Sequence, residues 1–169
     1  KDPDSRVMGL LKKRVTKSII NEGGKIFIQD WSDTSCTPSQ IASLAASIPE
    51  LGLVAVDYPY LMKSDERYRD RRHEIANNLN SLRRIAIKRD LLVWGGSQTN
   101  SGAMDKFKFG IMDVAEDLQK CWVADGIIAH CQTEEEVEEG IARFYFAKAR
   151  RPRLKSYEVK VEIDLDTGR

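Results

Sequence analysis

Leu51-Gly52-Leu53-Val54-Ala55-Val56-Asp57 is a continuous apolar run that ends in an acid. A strand without polar alternation is the kind buried on both faces, as in the middle of a parallel sheet. A second run, Leu91-Leu92-Val93-Trp94, leads into Gly95-Gly96-Ser97-Gln98. Between the two lie a polar loop at 63–70 and a stretch at 71–89 that puts Ile75, Leu79, Leu82, Ile85 and Ala86 on one helical face. Strand, long helix, strand predicts a crossover between parallel strands with helices on the faces of the sheet.

Upstream, Val7, Leu10, Leu11, Val15, Ile19 and Ile20 repeat with helical spacing over residues 7–21, and Glu22-Gly23-Gly24 ends that helix. Residues 25–30 read as a short strand. Thr37-Pro38-Ser39-Gln40 opens the next helix: Thr37 can cap, Pro38 fits the first turn, and Gln40 can reach back. Downstream, residues 99–112 have little periodicity and predict a long loop, a class of segment that is commonly functional. A short helix at 113–121, a strand at 125–131 and an acidic turn or short helix at 133–139 follow. Two last strands, 141–149 and 156–165, are joined by a basic turn. The expected class is α/β, with a mostly parallel sheet that the C-terminal strands extend in antiparallel fashion.

The 169 residues suit one domain, with 27 Lys and Arg against 26 Asp and Glu, a net charge of +1, 41% apolar and 31% charged residues. That balance excludes a disordered chain, a fibrous repeat and a simple polybasic nucleic-acid binder. No apolar run approaches the roughly 18 residues of a membrane span. Cys36, Cys121 and Cys131 are far apart and form no C-x-x-C pair, which fits reduced thiols better than zinc or disulfides. The sequence begins Lys1-Asp2-Pro3-Asp4, without Met, and reads as part of a longer chain.

The chemistry concentrates at the strand ends. An acid at the C-terminal end of a parallel strand stands where open α/β sheets bind ligands, and in nucleotide hydrolases such an acid holds the magnesium ion. Asp57 stands in that place, where it can serve as such a ligand or simply as a strand-end cap. Gln98, after the neighbouring strand, can sense a nucleotide γ-phosphate or simply begin a polar loop. Residues 141–155 carry Arg143, Lys148, Arg150, Arg151, Arg153 and Lys155 and no acid. His73 and His130 read as structural, the five glutamates from Glu134 to Glu139 as a solvated turn, and Trp31, Trp94 and Trp122 as core or interface residues.

In this order the blocks resemble the second half of the RecA-like motor of DnaB-type replicative helicases, particularly phage members. Residues 23–30 with Thr37-Pro38-Ser39-Gln40-Ile41 resemble the strand and helix upstream of the magnesium motif. Leu53-Val54-Ala55-Val56-Asp57-Tyr58-Pro59-Tyr60-Leu61-Met62 resembles the family's Walker B run, with Pro59 and Tyr60 where Leu and Gln are usual. Arg72-His73-Glu74-Ile75, Leu79 and Leu82 resemble the following helix, and Ser97-Gln98-Thr99-Asn100 the sensor. Asp113, Glu116 and Ala124-Asp125 resemble the next block, with Ala115 and Cys121-Trp122 as departures. Lys148-Ala149-Arg150 resembles the Lys-x-Arg finger.

The resemblance implies ATP and Mg²⁺ as cofactors, with Asp57 on the metal, Gln98 at the γ-phosphate, and Lys148 and Arg150 reaching a neighbouring subunit's nucleotide. It implies Lys106 and Lys108, in the 99–112 loop, as contacts to single-stranded DNA. It implies a homo-oligomer, expected to be a hexameric ring, with a primase or helicase loader as a further partner, in the cytoplasm of a bacterium or phage-infected cell. No G-x-x-x-x-G-K-[ST] phosphate loop occurs in the sequence, so residues 1–169 are expected to form the C-terminal portion of one RecA-like ATPase domain and not to turn over ATP alone. Two other functions fit the same fold: a RecA-like ATPase of recombination or signalling, and a non-catalytic assembly or DNA-binding module.

Overall fold

The computed structural model describes residues 23–31, 34–97, 123–150 and 157–163. The expected helix at 7–21, the 99–112 loop with Lys106 and Lys108, the helix at 113–121, the basic turn beyond Arg150, and Gln98 lie outside the described residues.

Helix α1, Pro38–Ser47, starts as its sequence dictates. Thr37 Oγ1 accepts from the Gln40 amide at 3.4 Å and Gln40 Oε1 accepts from the Thr37 amide at 2.8 Å, a complete capping box. Ile41 and Ala45, four apart, form its buried face. Strands β1, Leu53–Val56, and β2, Leu92–Gly95, pair in parallel with Leu53 opposite Leu92 and Val56 opposite Gly95. Helix α2, Arg71–Arg89, connects them. The Asp70 side chain accepts from the Arg72 amide at 2.8 Å at its start, and Asp90, at φ 51°, closes it in the left-handed region.

The core lies between these layers. Ile41, Met62, Leu82 and Ile85 form a buried cluster against which Trp31, Val54, Val56 and Val93 pack. Because strand side chains alternate, β1 and β2 turn their other residues away from it. Leu53, Leu92 and Trp94 are 48%, 56% and 54% exposed. The run expected to be buried on both faces is therefore covered on one only among the described residues. Asn78, three residues after Ile75 and four before Leu82, shares the apolar face of α2 and is fully buried; its Nδ2 donates to the Met62 carbonyl at 3.1 Å.

Strands β3, Gly126–Cys131, β4, Ile141–Ala149, and β5, Glu158–Glu162, form a separate antiparallel sheet in the order β3-β4-β5. The C-terminal strands are antiparallel as expected, but they do not extend β1–β2. The short connection between β3 and β4 favours their pairing with each other, since parallel addition needs a long crossover. Residues 25–30 also differ from expectation. They run extended and pair with no strand among the described residues, with Phe27 58% and Ile28 72% exposed. Apolar β-formers become a strand only where a neighbour satisfies their backbone.

The acidic turn is helix α3, Glu134–Glu138, begun by a second capping box from Thr133 and Glu136. Glu136 divides its carboxylate: Oε2 accepts from the Thr133 amide at 2.9 Å, and Oε1 meets Arg143 Nε at 2.7 Å. Arg143 is 1% exposed. Glu136 is thus the counter-ion of a buried guanidinium and not only a solvated acid. The bond from Arg143, then that from Thr133, holds its carboxyl below the ordinary value of 4.5. A lowered folded value means that the stabilisation is present above the unfolded value and is lost as pH falls through the folded one. Glu136→Gln is therefore expected to unfold at lower urea than the wild type at pH 7. The gap should close below about pH 4.5; a gap independent of pH would remove Glu136 from the acid response.

Candidate functional site

The site is built where β1 and β2 end side by side. Past Val56 the chain gives Asp57, then turns through a 3₁₀ segment, Pro59–Leu61. The Leu61 amide donates to the Tyr58 carbonyl at 3.0 Å, and the Tyr58 and Tyr60 rings stack with centroids 5.2 Å apart and planes 9° apart. The first turns of α2 hold this segment. Arg71 donates to the carbonyls of Tyr60 and Met62. Arg71 also pairs with Glu74 at 2.5 Å, and Glu74 accepts from the Ser64 amide at 3.0 Å. Those bonds, Arg71 first, keep the Glu74 carboxyl below its usual range.

On the neighbouring strand, the Gly96 amide donates to the Val56 carbonyl at 3.3 Å. A Cβ added at Gly96 would stand 3.4 Å from Asp57 Oδ1. The Asp57 carboxylate therefore lies against the backbone just before Ser97, and it is exposed. It makes no hydrogen bond or ion pair with another described residue. One free carboxylate suits magnesium, which is commonly bound through one or two carboxylates, the substrate's phosphates and water. No group of three or more metal-ligating side chains occurs among the described residues, so an all-protein metal cage is not what this end of the sheet offers. A shallow cleft of about 220 Å³ between Ala45, Pro49, Arg89 and Leu91 lies at the opposite, N-terminal end of the strands.

Lys148 and Arg150 stand at the end of β4 and are organised by the segment entering β3. Lys148 Nζ donates to the Ala124 carbonyl at 2.6 Å, and Arg150 donates its amide to the Asp125 carbonyl at 3.0 Å. Arg150 Nη2 also meets Asp125 Oδ1 at 3.1 Å. Arg83 on α2 reaches the same oxygen at 3.3 Å and the Val123 carbonyl at 2.6 Å. Asp125 thus gathers two arginines, and Arg83 ties the helix layer to the antiparallel sheet. In the sequence Asp125 is only part of a block and Arg83 does not stand out. The partners are 42 residues apart, so no local pattern points to the pair.

Of the remaining candidates, His73 is exposed in the first turn of α2. His130 stacks on Phe144 with centroids 5.2 Å apart. Cys36 and Cys131 form no disulfide among the described residues, and burial pushes the Cys36 thiol up. Trp31 lies against the core, Trp94 is exposed, and Trp122 is outside the described residues. No helix among the described residues is long and apolar enough to cross a membrane.

A parallel β-α-β unit with an acid at its strand end, followed by an antiparallel sheet carrying paired cations, is an α/β arrangement. Comparison of folds narrows it: the chain has the fold of DnaB-like replicative helicase ATPase domains. It superposes on one solved ATPase domain of this kind with a TM-score of 0.71 and 19% identity, over 80% of this chain and 51% of that one. It superposes on "The Structure Of A DnaB-Like Replicative Helicase And Its Interactions With Primase" with a TM-score of 0.71 and 17% identity, over 82% of this chain and 35% of that one. The chain therefore spans about half or less of these structures' length. No family model and no curated protein matches the sequence.

Proposed function

We propose that this chain is the C-terminal portion of the RecA-like motor of an ATP-driven replicative DNA helicase. The observation that carries the reading is Asp57: a carboxylate bonded to no other described residue at the C-terminal end of β1, against the Gly96-Ser97 exit of β2, in a fold shared with helicase ATPase domains. Asp57 would hold Mg²⁺, directly or through water, and the metal would neutralise charge on the phosphates of ATP. Gln98 would sense the γ-phosphate. Lys148 and Arg150 would act on nucleotide held by an adjacent subunit of a ring, hexameric in this reading. The phosphate loop would come from chain beyond these residues. A primase or loader would bind elsewhere on the ring, in the cytoplasm.

Lys106 and Lys108 carry the DNA part of the reading. In the full-length protein, changing both to Ala should weaken single-stranded DNA binding. It should also reduce the slope of log affinity against log salt by about 0.7 for each phosphate that a lysine no longer neutralises. DNA-stimulated ATP hydrolysis coupled to strand separation by the wild type completes the test. Hydrolysis without unwinding would favour the recombination or signalling ATPase. DNA binding without hydrolysis would favour the non-catalytic module. An unchanged affinity and salt slope in the double variant would move the DNA away from these lysines.

A further inference from the structure

We infer that Gly95 and Pro59 are positioning residues for Asp57: the absence of a side chain at Gly95 admits the Pro59 ring, and that contact sets where the carboxylate stands relative to the end of β2. The inference rests on the reading of Asp57 as the magnesium ligand.

The contact is steric. A Cβ built on Gly95 would lie 2.6 Å from Pro59 Cγ and 3.4 Å from Cδ. One built on Gly96 would lie 3.0 and 3.2 Å from the Tyr58 ring and 3.4 Å from Asp57 Oδ1. Neither glycine has a positive φ, so the backbone does not demand glycine at either position. The space does. Asp57, Tyr58 and Pro59 cross in front of the end of β2 closely enough that two successive residues there can carry no side chain without displacing something.

What would be displaced follows from stiffness. Pro59 is buried and its ring has no rotamer that withdraws Cγ by more than a pucker. The turn behind it is held by Arg71 at the Tyr60 and Met62 carbonyls and by Asn78 at the Met62 carbonyl. Tyr58 is backed by Tyr60 in the stacked pair. A methyl group at Gly95 therefore pushes either the Asp57–Pro59 turn or the end of β2, and both routes change the separation of Asp57 from Ser97. At Gly95 the two strand ends meet through the Pro59 ring, with no flexible side chain between them.

The test uses the full-length protein and two readouts. One is binding of Mn²⁺, as a magnesium surrogate, in the presence of ADP by electron paramagnetic resonance. The other is the Mg²⁺ concentration for half-maximal ATP hydrolysis. Gly95→Ala is expected to weaken the metal ion by about 10- to 100-fold in both, the range for groups that orient a metal ligand. Pro59→Ala, which removes Cγ and Cδ, should restore metal binding in the Gly95→Ala background. Gly96→Ala should weaken the metal less, because its closest contact is a ring edge that can give. Pro59→Ala should not rescue Gly96→Ala, since the three atoms nearest a Gly96 Cβ belong to Tyr58 and Asp57. If Gly95→Ala does not fold, folding and metal binding by the double variant support the inference, and its failure to recover either overturns it. Wild-type metal affinity in folded Gly95→Ala overturns it, as does a lowered melting temperature with unchanged metal affinity, which marks a merely structural contact. Asp57→Asn separates the two claims. If it abolishes Mn²⁺ binding while Gly95→Ala does not alter it, the positioning role alone fails. If it binds Mn²⁺ like the wild type, the magnesium reading fails and the positioning role falls with it.

Discussion

Asp57→Asn in the full-length protein is expected to lose about 100-fold or more of its ATPase rate while unfolding at the same temperature as the wild type. The first half follows from charge: a metal-held carboxylate supports several kcal/mol of phosphate-charge stabilisation in the transition state, and an amide of the same shape brings no charge to the ion. The second half follows from the surroundings. The carboxylate is exposed and bonds to no other described residue, so replacing it leaves no buried group unsatisfied. Steady-state hydrolysis and a thermal melt on one preparation check both halves. Wild-type turnover by the variant would remove Asp57 from the chemistry.

Arg150→Ala should reduce turnover by roughly 10³-fold or more, the effect of removing an arginine that reaches a neighbour's phosphates. Nucleotide binding should change little, because such a cation matters most when charge develops. Its ion pair with Asp125 does not compete with this expectation: the two side chains are 70% and 58% exposed, and exposed pairs contribute little. The pair holds the guanidinium at the end of β4 without burying it. Mixing inactive Arg150→Ala and Asp57→Asn proteins provides the sharper measurement. In a mixed ring some interfaces join an intact Asp57 to a neighbour's intact Arg150, and those should recover hydrolysis that neither variant has alone. No recovery after demonstrated subunit exchange leaves action within one subunit, or a ring that needs every site. Full activity of the Arg150→Ala ring would make the residue part of a solvated basic hairpin.

What the sequence disclosed, and what it concealed, divides by distance along the chain. The capping box at Thr37 and Gln40, the helix from Arg71, and the acid after β1 are decided within a few residues, and all three stand where the spacing puts them. Asn78 follows that logic only in part: the spacing sets it on the apolar face with Ile75 and Leu82, but what satisfies its amide there is the Met62 carbonyl 16 residues away. Arg143 reads as one of the cations of a basic hairpin, yet Glu136 draws it inside. The Gly95–Pro59 contact has no local signature either, because two glycines before Ser-Gln look like a flexible loop start until the turn after Asp57 is laid across them. Residues 25–30 err the other way: their β-forming composition is plain, but composition supplies no neighbouring strand.

The outward face of β1 and β2, with Leu53, Leu92 and Trp94, has an optical consequence. Indole fluorescence reports local polarity, and Trp94 sits half in water on a surface of aliphatic carbon. It is a native probe of whether that face is wetted or covered, read by emission colour and by access of a dissolved quencher. Trp31, packed against the Ile41–Met62–Leu82–Ile85 cluster on the other side of the sheet, provides the shielded reference within the same polypeptide.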